Sequence, residues 1–271
     1  MTKRTTLIFT AVIIIFFSII TWTTLNTISS YRGISATAAT AGNAFFNNQI
    51  AGILPVSVST TMLVYFTASG SLIAVYCKNN PIFYNIQQRI GYDAFIKKAL
   101  LRTAIVATLS SLITSLYEIL LITLMIHPID LMFTENQNLS SGLGFFDNGS
   151  LSGIVIFIAL SSLGWGVYAS FIFSVGLFIK KTPVYLITGA VIGTILIVAP
   201  ALISNAFNRT LVPFLNLFIL PTLIVPGQMQ LVGNGPAITP VYSSFIIATT
   251  IYITVTWALT RLWIVRKQKV G

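Results

Sequence analysis

Charge is scarce in this chain. Asp, Glu, Lys and Arg make up only 7% of its 271 residues, where soluble domains carry about 25%. Over half of the residues are apolar, and the mean hydropathy is +0.90. A soluble fold of this size could not hide so much apolar surface, so part of its solvent must be lipid. Cys77 is the only cysteine and His127 the only histidine, which excludes an intrachain disulfide and a Cys/His zinc cluster. No G-x-x-x-x-G-K-[ST], H-E-x-x-H or G-x-S-x-G occurs, so the chain lacks a P-loop and the common hydrolase signatures. No paired carboxylates stand within the apolar runs either. An enzyme is therefore not expected, and no cofactor is expected on this chain.

What is present is a series of long apolar runs. A helix needs roughly 20 apolar residues to cross the hydrocarbon core. Six segments meet that length, at about 6–27, 53–76, 102–126, 153–178, 183–204 and 241–264. They predict an all-α membrane protein, a single transmembrane domain over 1–271. The segments 30–50 and 127–152 are too short or too polar to span. So is the apolar run Leu211–Pro226, which Pro213, Pro221 and Pro226 interrupt. Proline breaks a straight helix, and short apolar runs are often re-entrant or interfacial. The first run exceeds the usual signal-peptide core of about 7–15 residues, so it reads as an uncleaved anchor.

Basic residues orient the spans. With the N-terminus inside, every lysine and arginine except Arg32 and Arg209 falls on the cytoplasmic side, as the positive-inside rule requires. Both termini are then cytoplasmic. Asp130, Glu135 and Asp147 fall outside, with N-x-S/T sequons at Asn138, Asn148 and Asn208. In Asn/Ser-rich loops such sequons arise by chance. The net charge of +10 would suggest nucleic acid in a soluble protein. Placed on one membrane face, it points to anionic lipid instead.

Polar residues inside the spans are few. Glu118 lies within the third, and Ala107, Ser111, Thr114 and Glu118 recur at helical spacing as one stripe. An acid in the bilayer is costly and usually faces the bundle or a cavity. Ser111, Thr114 and Glu118 are thus candidates for a substrate pathway. The alternative is a neutral, hydrogen-bonded Glu118 that holds helices together. Gly164 and Gly166 in the fourth span, and Gly189 and Gly193 in the fifth, allow close helix packing.

The stretch "YNIQQRIGYDAFIKKALL", Tyr84 to Leu101, departs from this pattern. Ile82, Ile86 and Ile90 repeat every four residues, Gly91 interrupts, and Phe95 and Ala99 resume the stripe. Arg89, Lys97 and Lys98 stand among them. The spacing predicts a short amphipathic helix over 82–97, bent near Gly91. It could lie on anionic lipid or dock a soluble partner.

Arg89-Ile90-Gly91-Tyr92 followed by Phe95-Ile96-Lys97-Lys98 resembles the cytoplasmic loop of ABC-2 type permeases of Gram-positive bacteria. Six spans with both termini inside, and an apolar excursion between the fifth and sixth, are similar to that family as well. The resemblance implies a multi-pass subunit of a bacterial cell-membrane exporter. Its loop would be a coupling helix, with Ile86, Arg89, Ile90, Gly91, Tyr92 and Phe95 meeting an ABC ATPase subunit that holds the ATP and Mg²⁺. A second permease half, identical or different, would complete the pathway. Leu211–Pro226 would be an outer re-entrant hairpin. Family members often carry a longer amphipathic helix before the first span, where this chain has only "MTKRTT". The implied cargo is an amphipathic peptide, a lantibiotic or a drug-like molecule. Two other functions compete: an ion-coupled secondary transporter using Glu118, and a non-transporting immunity or scaffold protein.

Overall fold

The computed structural model describes residues 3–31, 41–49, 57–126, 151–206, 220–226 and 241–270. Within them all regular structure is α-helical. The helices are α1 (Lys3–Tyr31), α2 (Ala41–Gln49), α3 (Ser57–Ser69), α4 (Leu72–Asn79) and α5 (Ile82–Ile90). They continue as α6 (Tyr92–Met125), α7 (Leu151–Gly176), α8 (Thr182–Ala206), α9 (Leu220–Ile224) and α10 (Val241–Val270). Four of them, α1, α6, α7 and α10, contain stretches long and apolar enough to cross a membrane. The apolar part of α8, Thr182–Val198, is shorter.

Two expected boundaries differ. The run 53–76 is not one helix: α3 and α4 are separated by a turn at Gly70–Ser71. A Cβ on Gly70 would lie 2.7 Å from the Thr103 Cα, so α6 crosses at the turn itself. The Ser71 hydroxyl closes the turn by donating to the Thr67 carbonyl (2.5 Å) and shares a hydrogen bond with the Tyr185 hydroxyl of α8 (2.5 Å). The third apolar run begins at 102, yet α6 starts ten residues earlier, at Tyr92. Backbone hydrogen bonding does not stop where hydropathy falls. Tyr92–Lys98 therefore belongs to the long apolar helix α6 rather than to α5. An Asp93–Lys97 ion pair (2.6 Å) lies along that extension and adds a few tenths of a kcal/mol, ~0.3–0.5, at such exposure.

α7 is the central helix. Trp165, Tyr168, Ala169, Ile172 and Phe173 are buried along it, and it packs on α3, α6, α8, α9 and α10. Lipid tails are as apolar as leucine, so the helices gain little by hiding hydrocarbon and must associate by close packing. The glycines supply that. A Cβ on Gly166 would overlap the Thr108 hydroxyl of α6, and one on Gly189 would overlap that of Thr67 on α3. α6 displays both solvents on its two sides. Ile105, Leu109, Ile113, Leu116, Leu120 and Leu124 are exposed, while Thr103, Ala107, Ser111, Thr114 and Glu118 are buried. An apolar exposed face opposite a polar buried one fits a helix bathed in lipid.

Candidate functional site

Two places concentrate polar groups, one at each end of α6. The basic end is built first by α5. Phe83 is buried, its ring 5.4 Å from Tyr92, 5.6 Å from Phe95 and 6.2 Å from Trp263 of α10. This aromatic group fastens the short helix to the bundle. Gly91 separates α5 from α6 with φ +79, a conformation that glycine adopts without penalty. Arg89 and Ile90 are left exposed, Ile90 at 48%. Of the residues expected to meet a partner, Arg89 and Ile90 face outward. Tyr92 and Phe95 are turned to Phe83. Ile86 lies on α5, but its side chain is outside the described residues.

Lys78 closes this end from below. Its ammonium donates to the carbonyls of Gly176 (3.0 Å), Leu177 (2.9 Å) and Ile179 (2.6 Å). These carbonyls lie at and just past the end of α7, where acceptors outnumber backbone donors, and a cation suits the negative end of a helix. Lys78 lies just past the apolar run 53–76. Burial first, and then the charge of Lys267, pull its pKa from 10.5 to about 8. The folded value is the lower one, so between these pH values the unfolded chain holds the extra proton. The contribution of Lys78 to stability therefore rises as pH climbs from about 8 towards 10.5. Comparing thermal midpoints of wild type and Lys78→Met in detergent, at about pH 7.5 and about pH 9.5, should show the difference widening in favour of the wild type. A constant difference would contradict this assignment.

The other place surrounds Glu118, which is fully buried. Gln49, the last residue of α2, donates its side-chain amide to Glu118 Oε2, and Asn48 precedes it on the same helix. Asn48 is held in turn by α1: it accepts from the Thr27 hydroxyl (3.2 Å) and donates to that of Thr24 (3.4 Å). One turn nearer the middle, the hydroxyls of Thr21 and Tyr117 are 2.7 Å apart. A polar seam thus joins α1, α2 and α6. Beside it lies a small apolar cluster of Ile28, Phe45, Ile122 and Phe157. Ser111 and Thr114 are buried on the same stripe as Glu118, but Thr114 spends its proton on the Ser110 carbonyl (2.8 Å). Glu118 Oε1 has no hydrogen-bond partner among the described residues.

The sequence singled out Glu118 but not Gln49, Asn48 or Lys78. Its only hint of the amide pair was "NNQ" ending a polar segment, without saying what it faces. Among the described residues, no group of three or more His, Cys, Asp and Glu could hold a metal ion. Asp130, Glu135, Asp147, the three sequons, Arg32, Arg209 and 211–219 lie outside the described residues. No family model, curated protein or solved structure matches this chain.

Proposed function

We propose that this chain is the membrane-embedded permease subunit of an ATP-driven exporter of the ABC-2 type in a bacterial cell membrane. It would work with a separate ABC ATPase, which binds ATP and Mg²⁺, and with a second permease half. Six spans with both termini cytoplasmic belong to the reading, with α3 and α4 together as the second and α9 as part of an outer re-entrant segment. The cargo class is an amphipathic peptide, a lantibiotic or a drug-like molecule.

The observation that carries the reading is α5. It stands at the basic end between α4 and α6, fastened by Phe83, with Arg89 and Ile90 exposed. A large apolar side chain beside a cation, on a short rigid helix, suits a cleft with an acidic rim. Few residues dominate such an interface. Ile90→Asp should therefore abolish copurification of the ATPase and substrate-stimulated hydrolysis, while insertion into the membrane persists. Lys97→Ala should change little, because Lys97 already pairs with Asp93. Full ATPase binding by the Ile90→Asp variant would defeat the docking role and leave α5 as a lipid-surface helix.

Glu118 supports a second reading, an ion-coupled transporter. A buried carboxylate with an unpartnered oxygen could take up a proton or a cation. Transport that follows an imposed proton gradient without ATP would favour it over the exporter.

A further inference from the structure

The ends of α4, α7 and α10 enclose a pocket of about 500 Å³. Its lining includes Lys78, Lys180, Arg266 and Lys267, with Phe178 and Trp263. No acid lines it. Of the chain's five Asp and Glu side chains, Asp93 is paired with Lys97 and Glu118 is buried near the opposite end of α6. Asp130, Glu135 and Asp147 fall in the stretch 127–150, outside the described residues. Among the described residues, four cations therefore converge with no carboxylate in the lining to balance them.

Their roles are not equal. Lys78 has given all three of its protons to the end of α7, so it contributes charge but no free donor. Lys180, Arg266 and Lys267 are exposed and keep theirs. The Arg266 guanidinium stands 5.8 Å over the Phe178 ring, which orients its planar fork. Trp263 is buried at the base. Ile73 and Tyr76 on α4 and Val184 on α8 are exposed apolar groups, on the helix that carries Lys78 and the one that follows Lys180. A ligand here thus finds cations at one end of the bundle, carried by or next to helices that also expose hydrocarbon. That combination suits one molecule, an anionic phospholipid.

We propose that this pocket binds the phosphate of an anionic membrane phospholipid, with Lys180, Arg266 and Lys267 as its ligands. Lys78 fixes the end of α7 that forms the pocket wall and adds its field. The site is independent of any transport activity.

The experiment uses the purified full-length protein in nanodiscs of phosphatidylcholine doped with phosphatidylglycerol. Retention of phosphatidylglycerol is read by native mass spectrometry after extraction. Wild type should keep it in preference to phosphatidylcholine. The double variant Arg266→Gln/Lys267→Gln should lose affinity by roughly thirtyfold, as two basic contacts at the membrane surface predict. Lys97→Gln, a basic residue outside the pocket, should stay within about twofold of wild type. Both altered side chains of the double variant are exposed, and its elution as a single sharp species is the check on folding. If it retains phosphatidylglycerol like wild type, or if wild type shows no preference over phosphatidylcholine, the site is wrong. Protection by inorganic phosphate alone, without lipid preference, would likewise overturn the lipid assignment.

Discussion

Gly164→Ala is expected to be the most damaging small substitution in the protein. The new Cβ would overlap the Leu223 carbonyl oxygen and lie 2.7 Å from its carbonyl carbon. Both are backbone atoms of α9, so no rotamer change relieves the contact. α9 has only five residues, too few to hold itself as an isolated helix. What holds it is its setting: Leu220, Pro221, Thr222, Leu223 and Ile224 are all buried. The Ser161 hydroxyl, one turn before Gly164, donates to the Ile224 carbonyl (2.6 Å). Displacing α9 breaks that bond and unpacks α7 from α10 behind it. A loss of about 3 kcal/mol follows, at the upper end for overpacking, read as a large fall in the thermal midpoint and in extractable monodisperse protein. Gly91→Ala is the contrast. Nothing lies within 4 Å of its Cβ, so its cost is conformational, about 1–3 kcal/mol for a side chain held at φ +79, ψ 159. A midpoint for Gly164→Ala within about 2 °C of wild type would mean that α9 does not sit against α7.

The second large effect is at Glu118. Glu118→Ala removes the acceptor of the Gln49 amide and leaves a cavity at a fully buried position. An unsatisfied buried donor costs about 1–3 kcal/mol, and a void adds to that. The expected total is about 2–4 kcal/mol, enough to release α2 from the bundle. Glu118→Gln keeps an acceptor of nearly the same shape and should lose about 1 kcal/mol or less. Hydrogen exchange on 41–49 gives the readout: fast in Glu118→Ala, close to wild type in Glu118→Gln. Equal release in both variants would show that the seam needs a charge rather than an acceptor.

The sequence announced Glu118 because a single acid in an apolar run has few uses. It could not name Gln49, 69 positions away, since hydrogen-bond partners across a bundle leave no periodic trace. The break at Gly91 was legible, because an isolated glycine ends an amphipathic stripe. On α5 the isoleucine stripe suggested Ile86 and Ile90 as the apolar side; among the described side chains Ile90 is exposed and Phe83 meets the bundle. Periodicity marks a face but does not say which neighbour it meets. The glycines of α7 and α8 were readable as contact points. The Gly70–Ser71 turn was not, because it depends on where α6 crosses. The surplus of basic residues at one end was plain in the sequence. That Lys78 turns inward to the end of α7 was not, since any lysine near a span end satisfies the charge rule equally well.

α6 is one uninterrupted rod of 34 residues, about 51 Å long at helical rise. Its first turn holds α5 through Tyr92 and Phe95, and Glu118 stands about 39 Å farther along the same axis. Small angles at one extremity of such a rod become long arcs at the other. A rotation of about 5° pivoting at Tyr92 would sweep the Glu118 carboxylate through roughly 3 Å, more than a hydrogen bond can stretch. Whatever grips α5 therefore has leverage over the clasp between Gln49 and Glu118 near the far end of the rod.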